Sequence, residues 1–111
     1  MEVLVLEIIR RMEITIKTNL SQTELYVKPL EKIDINTAID FGEQVNDALD
    51  EYSELVIDLE AVDYISSMGL RVILELQKRM NQQGSMKLIN VKPEIMDIFK
   101  ITGFDKILTI E

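Results

Sequence analysis

Histidine and cysteine are both missing from the 111 residues. Without an imidazole or a thiol the chain can form neither Ser-His-Asp chemistry, nor a thiol nucleophile, nor a disulfide framework, nor the common zinc ligand sets. Carboxylates, Lys, Tyr and hydroxyls remain as its reactive groups. Glycine is sparse and scattered, at Gly42, Gly69, Gly84 and Gly103, so there is no Gly-rich loop with a P-loop Lys to cradle a nucleotide. Basic residues are the scarcer charge: twelve Lys and Arg against twenty Asp and Glu leave a net charge of −8, which opposes nucleic acid and anionic lipid as partners. Long apolar runs are missing too. The stretch from Met1 to Arg11 is too short to span a bilayer, carries no leading positive charge and has no small-residue cleavage site after it, so no membrane insertion is expected and the chain reads as cytoplasmic. Residues 1–11 read as an N-terminal extension that is an extra strand, a helix or a start set upstream of Met12, alternatives the sequence leaves open.

The remaining residues, 12–111, suffice for one domain that buries about two-thirds of its unfolded surface. Ile14 and Ile16 alternate with polar residues over Glu13 to Lys17, as on a half-buried strand. Asn19 to Gln22 supplies a turn, and Leu25, Val27 and Leu30 continue the alternation on a second strand, which Pro29 ends or bends. A cap signal at Asn36-Thr37 with Asp40 precedes Ala38, Phe41, Val45, Ala48, Leu49 and Tyr52 on one helical face. Leu55-Val56-Ile57 and Leu59 form a short buried strand. The period then changes, with Leu70, Ile73, Leu74, Gln77 and Met80 recurring every three or four residues as on a helix. Gly84 is expected as the C′ stop of that helix. A strand at Met86 to Ile89, a helix opened by Pro93 and ended by Gly103, and a last strand from Lys106 to Ile110 complete the reading. Met80 and Met86 read as core fillers. The fold expected is α/β: a mixed sheet opening with an antiparallel hairpin, then alternating helices and strands, with helices mainly on one face.

Two hydroxyls, Ser66 and Ser67, fall where the central helix begins. Unpartnered N–H groups and the peptide dipoles make such a place partly positive, so it suits either an ordinary N-cap serine or an oxyanion. Asp58, Glu60 and Asp63 suggest a magnesium site, but a receiver-type phosphoacceptor needs an acidic pair after the first strand, where only polar and apolar residues stand, so the three read as solvated carboxylates. No enzyme, cofactor or metal site is indicated.

The run from Ile57 to Arg71, IDLEAVDYISSMGLR, resembles the signature of STAS domains, and most closely that of bacterial anti-sigma factor antagonists. Two further blocks agree in order and spacing, Leu30 to Asp34 and Pro93 to Leu108. What the resemblance implies is a partner switch, in which an unphosphorylated antagonist binds an anti-sigma factor serine kinase and so frees a sigma factor. The kinase phosphorylates a serine two residues before the Gly-Leu pair, here Ser67, and a metal-dependent serine phosphatase restores it. The residue before that serine is commonly Asp and here is Ser66. By the same resemblance Asp34, Ser66, Ser67, Met68 and Arg71 are expected to meet the partner. The signature also occurs in regulatory subunits of lipid and anion transport and of sensory assemblies, which is the alternative reading. Sigma factor, kinase and oligomeric state stay open.

Overall fold

The computed structural model describes residues 11–111; the expectation for the N-terminal extension therefore lies outside the described residues, except at Arg11. Four strands, β1 (Ile14–Thr18), β2 (Glu24–Pro29), β3 (Glu54–Asp58) and β4 (Ser85–Ile89), form one sheet in the order β1-β2-β3-β4. The hairpin pair is antiparallel, with Ile14 opposite Pro29 and Thr18 opposite Leu25. The other two pairs are parallel, and parallel neighbours need crossover connections. These are α1 (Ala38–Ala48) between β2 and β3, and α2 (Ser67–Gln83) between β3 and β4. A third helix, α3 (Pro93–Thr102), follows β4.

Side chains of a strand alternate between faces, and this sheet uses the two faces differently. Leu25, Val27, Leu55, Ile57, Met86 and Leu88 enter one apolar core with Phe41 and Val45 of α1, Leu70, Ile73, Leu76 and Met80 of α2, and Ile95 and Phe99 of α3. The helices therefore share one face, and both Met80 and Met86 are core residues, as the sequence predicts. The opposite face carries Tyr26, Lys28 and Asp58. Asp58, expected to be solvated, is only 5% exposed. It accepts the Tyr26 hydroxyl, the Glu60 N–H at 2.9 Å and the Asn90 amide at 3.1 Å, while Lys28 pairs with Glu60 at 2.8 Å. The hydrogen bond to Asp58, with some burial, pushes the Tyr26 hydroxyl up to about 12. Asp58 thus ties β2, β3 and the end of β4 together; Glu60 and Asp63 are exposed.

Four local expectations are corrected. Strand β2 stops at Pro29, and Leu30 is left 42% exposed. Thr37 precedes α1 without capping it through its side chain; its hydroxyl instead donates to the Lys32 carbonyl at 2.6 Å. The central helix does stop at Gln83 with Gly84 as its cap, but without the left-handed backbone of a C′ glycine: its φ is 169°, an extended value, and glycine is needed there because a Cβ would lie 1.7 Å from the Ser53 carbonyl oxygen. The last strand shrinks to a single bridge between Ile110 and Leu88. Gly103, at φ 80°, turns the chain into a 3-10 turn over Phe104–Lys106, whose Ile107 and Leu108 N–H groups bond the Phe104 carbonyl, so those residues cannot join the ladder.

Candidate functional site

The start of α2 separates the roles of the two serines. Ser66 is the N-cap, with extended backbone, and its Oγ accepts the Gly69 N–H at 3.1 Å. Such a bond satisfies one of the donors that every helix start leaves open. Ser67, the first helical residue, is exposed, and its hydroxyl has no hydrogen-bond partner among the described residues. Among the described residues, the Ser66 oxygen is engaged by the helix and the Ser67 hydroxyl is not.

What places this helix start is a short bridge between distant segments. Ile33 and Ile65 pair in parallel, with the Ile33 N–H on the Tyr64 carbonyl at 3.0 Å and the Ser66 N–H on the Ile33 carbonyl at 2.9 Å. Gly69 makes the approach possible, since a Cβ there would lie 2.7 Å from the Ile33 oxygen and 2.9 Å from the side chains of Ile33 and Ile65. The bridge sets Asp34 beside the start of α2. Its carboxylate accepts the N–H groups of Asn36 at 2.8 Å and Thr37 at 3.0 Å, so the cap ahead of α1 is an Asp34 turn in place of the expected Asn36-Thr37 signal.

The Asn36 N–H foremost, with help from Thr37, holds the Asp34 carboxyl below its ordinary range. A depressed carboxyl pKa contributes stability above its unfolded value, near pH 3.9, and loses it as pH falls through the lower folded value. Asp34→Asn is therefore expected to destabilise the domain at neutral pH and to match it once both are titrated well below pH 3.9. Urea midpoints at pH 7 and pH 2.5 check this; a difference that persists undiminished in acid would contradict it.

The other expected site residues lie on the first turn and a half of α2. Met68 is half-buried against the core, and Arg71 is exposed. Arg71 lines a groove between α1 and α2 with Ile39, Glu43, Met68, Val72 and Glu75. A second groove, between the 30–37 loop and the turn after β3, is lined by Leu30, Lys32, Asp34, Thr37, Ala61 and Asp63. Around both stand apolar side chains that sequence reasoning does not single out. Ile35 is 71% exposed, Ile39 57% and Tyr64 48%. With Leu30 they make four of the eight large exposed hydrophobics among the described residues. Ile39 is legible in retrospect, because it lies off the Ala38, Phe41, Val45 stripe. Ile35 is not, because alternation puts it with Ile33, and only the turn at Asp34 sends one to the core and the other to solvent.

Among the described residues no helix is long and apolar enough to cross a membrane, and no group of three or more acidic residues could hold a metal ion.

Comparison with known proteins agrees with this geometry. The family model for the STAS domain matches residues 12–111. BtrV of Bordetella bronchiseptica, named for anti-sigma factor antagonism, is 44% identical over 57 residues, or 50% of this chain and 49% of that protein. The match thus spans about half the length of BtrV. The anti-sigma-B factor antagonist of Bacillus subtilis is 29% identical over 100 residues, covering 89% of this chain and 92% of that one. Among solved structures, the anti-sigma factor antagonist SpoIIAA in its unphosphorylated form superposes with a TM-score of 0.74 at 12% identity, covering 89% of this chain and 88% of that chain. The phosphorylated form of the Bacillus protein gives 0.68 at the same identity, with 89% and 91% covered. At that identity the superposition speaks to fold alone, whereas the family match covers the whole of the described domain save Arg11: the chain belongs to the STAS domain family.

Proposed function

We propose that the chain is an anti-sigma factor antagonist, a regulatory binding protein of the cytoplasm and not an enzyme, switched by phosphorylation of Ser67. The observation that carries the reading is the exposed Ser67 hydroxyl, unengaged among the described residues, at a helix start whose next residue, Met68, shares a groove with the exposed Ile39. Exposed apolar surface beside one modifiable hydroxyl suits a docking face that a phosphate can close. Relatives named as anti-sigma factor antagonists, and a structural neighbour known in both phosphorylated and unphosphorylated forms, support the assignment.

In this reading the unphosphorylated face, made of Asp34, Ile35, Ile39, Ser66, Ser67, Met68 and Arg71, binds an anti-sigma factor serine kinase and releases the sigma factor. The kinase transfers the γ-phosphoryl group of a bound nucleoside triphosphate to Ser67 Oγ. The new O–P bond replaces the one to the bridging oxygen, the hydroxyl proton passes to a base of the kinase, and a nucleoside diphosphate leaves. A metal-dependent serine phosphatase reverses the state by directing water at phosphorus, which releases inorganic phosphate.

Affinity capture from native lysate tests the reading, with the unphosphorylated chain and its Ile39→Asp variant as baits. The expected result is an anti-sigma factor with serine kinase activity, retained by the first bait and lost from the second. Recovery of a permease or a sensory receptor instead would overturn it in favour of a transport or sensory subunit.

A further inference from the structure

Arg71 has no evident task in the free protein. Its guanidinium is exposed and makes no ion pair or hydrogen bond among the described residues, although Glu75 lies one turn further along α2 and Glu43 lines the same groove. Among the described residues it is the only cation lining the α1–α2 groove. It also stands four residues after Ser67, and residues so spaced on a helix face each other with Cβ atoms about 5–6 Å apart. An acid four residues ahead of a base is the favourable order for such a pair, because it also agrees with the helix dipole.

Resting on the reading of Ser67 as the phosphorylated residue, we propose that Arg71 is the intramolecular counter-ion of that phosphate, so that phosphorylation draws the guanidinium out of the α1–α2 groove and onto the helix start. The planar guanidinium fork matches a phosphate with two parallel N–H···O bonds, which a lysine cannot reproduce. Two consequences follow for the docking face. The groove lined by Met68, Val72, Glu43 and Glu75 loses its cation, so that the two carboxylates stand there without an opposite charge, while the phosphate is held in one position over the first turn. The switch then alters two neighbouring parts of the surface through one covalent change, with no movement of the backbone.

The charged groups around the phosphate make the idea testable. Asp34 and Asp63 lie on the segments beside the helix start and disfavour its second ionisation. Arg71 favours that ionisation, and Lys32, which lines the other groove with Asp34 and Asp63, is the rival cation. The full chain is prepared with phosphoserine incorporated at position 67, and the phosphate is titrated by phosphorus-31 NMR, a measurement that needs no partner. An ordinary phosphoserine loses its second proton near pH 6. Arg71→Gln is expected to raise that midpoint by about a third of a pH unit, the size of an exposed pair between residues four apart on a helix. The difference should collapse in about 1 M salt, where the screening length is near 3 Å. Arg71→Lys should restore part of the shift, and Lys32→Gln should leave the midpoint close to that of the unsubstituted chain. Identical midpoints with and without Arg71, or a shift produced by Lys32→Gln alone, would overturn the proposal. The titration stands apart from the functional reading: if phosphorylated and unphosphorylated chains bound the anti-sigma factor equally, partner switching would fail while the Arg71 result would stand on its own spectra.

Discussion

Phosphorylating Ser67 is expected to weaken binding to the anti-sigma factor at least a hundredfold while leaving the fold unchanged. The argument is one of magnitudes. A phosphoserine carries about −1.5 to −2 charges at pH 7. If the partner packs over the helix start, a phosphate trapped in that contact costs several kcal/mol of desolvation, of which an exposed pair with Arg71 offsets only about 0.3–0.5 kcal/mol, and a hundredfold loss needs only about 2.7 kcal/mol. The helix dipole, meanwhile, favours an anion at the first turn of α2 by about 0.3–1 kcal/mol, so the domain has no reason to unfold. Ser67→Ala should bind like the unphosphorylated chain and resist switching. Ser67→Asp should weaken binding less than the phosphate does, since it has at most about two-thirds of the charge and fewer acceptor oxygens. Calorimetric titration of each form against the partner, with circular dichroism on each, checks the expectation. Equal affinities, or affinity lost together with the circular dichroism signal of the fold, would contradict it.

Replacing Gly69 should do the largest structural damage of any single change at the site. A Cβ at this position would sit 2.7 Å from the backbone oxygen of Ile33 and 2.9 Å from the side chains of Ile33 and Ile65. Backbone cannot rotate away as a side-chain tip can, so Gly69→Val must push the 30–37 loop off the helix start and strain the Ile33–Tyr64 and Ser66–Ile33 hydrogen bonds. Overpacking of this kind costs about 1–3 kcal/mol, and a branched side chain against backbone belongs at the upper end. Gly42 supplies the comparison: the three atoms nearest its Cβ would all belong to the Val72 side chain, the first also at 2.9 Å, and a side chain can shift. The urea midpoint of Gly69→Val should therefore fall well below that of Gly42→Ala, with partner affinity falling alongside it because the Asp34 loop has moved. Matching midpoints would show that the bridge does not hold the site together.

The parts of this molecule that were legible in the sequence are those governed by local periodicity. Phe41 and Val45, Ile73 and Met80, and Ile95 and Phe99 recur at helical spacing, and all six are buried. The hairpin and the parallel strands follow from alternation and from the helices between them. Thr37 and Leu30 departed from expectation for local reasons, the Asp34 turn and Pro29, whereas the other departures turn on a contact with a distant residue. Gly84 is shaped by Ser53, Asp58 is held by Tyr26 of β2 and by Asn90 just after β4, and Ile110 forms a single bridge with Leu88 after the 3-10 turn has used the preceding residues. The candidate site divides in the same way. Its helix start could be read from spacing, and the resemblance to STAS domains pointed to Ser67. That Ile35 stands in solvent depends on the turn at Asp34, and that this loop lies against the helix start depends on the Ile33–Ile65 bridge, which no window of sequence contains.

Localising the phosphate is the most direct test of whether Ser67 is the switched hydroxyl. The purified chain is incubated with the anti-sigma factor kinase proposed as its partner and ATP, digested, and sequenced by tandem mass spectrometry with fragmentation that separates Ser66 from Ser67. A free hydroxyl at the first helical position and a capping hydroxyl just before it predict phosphate on Ser67, with Ser66 and Thr37 unmodified. Phosphate found on Ser66 alone, or on neither serine after full incubation, would contradict the account.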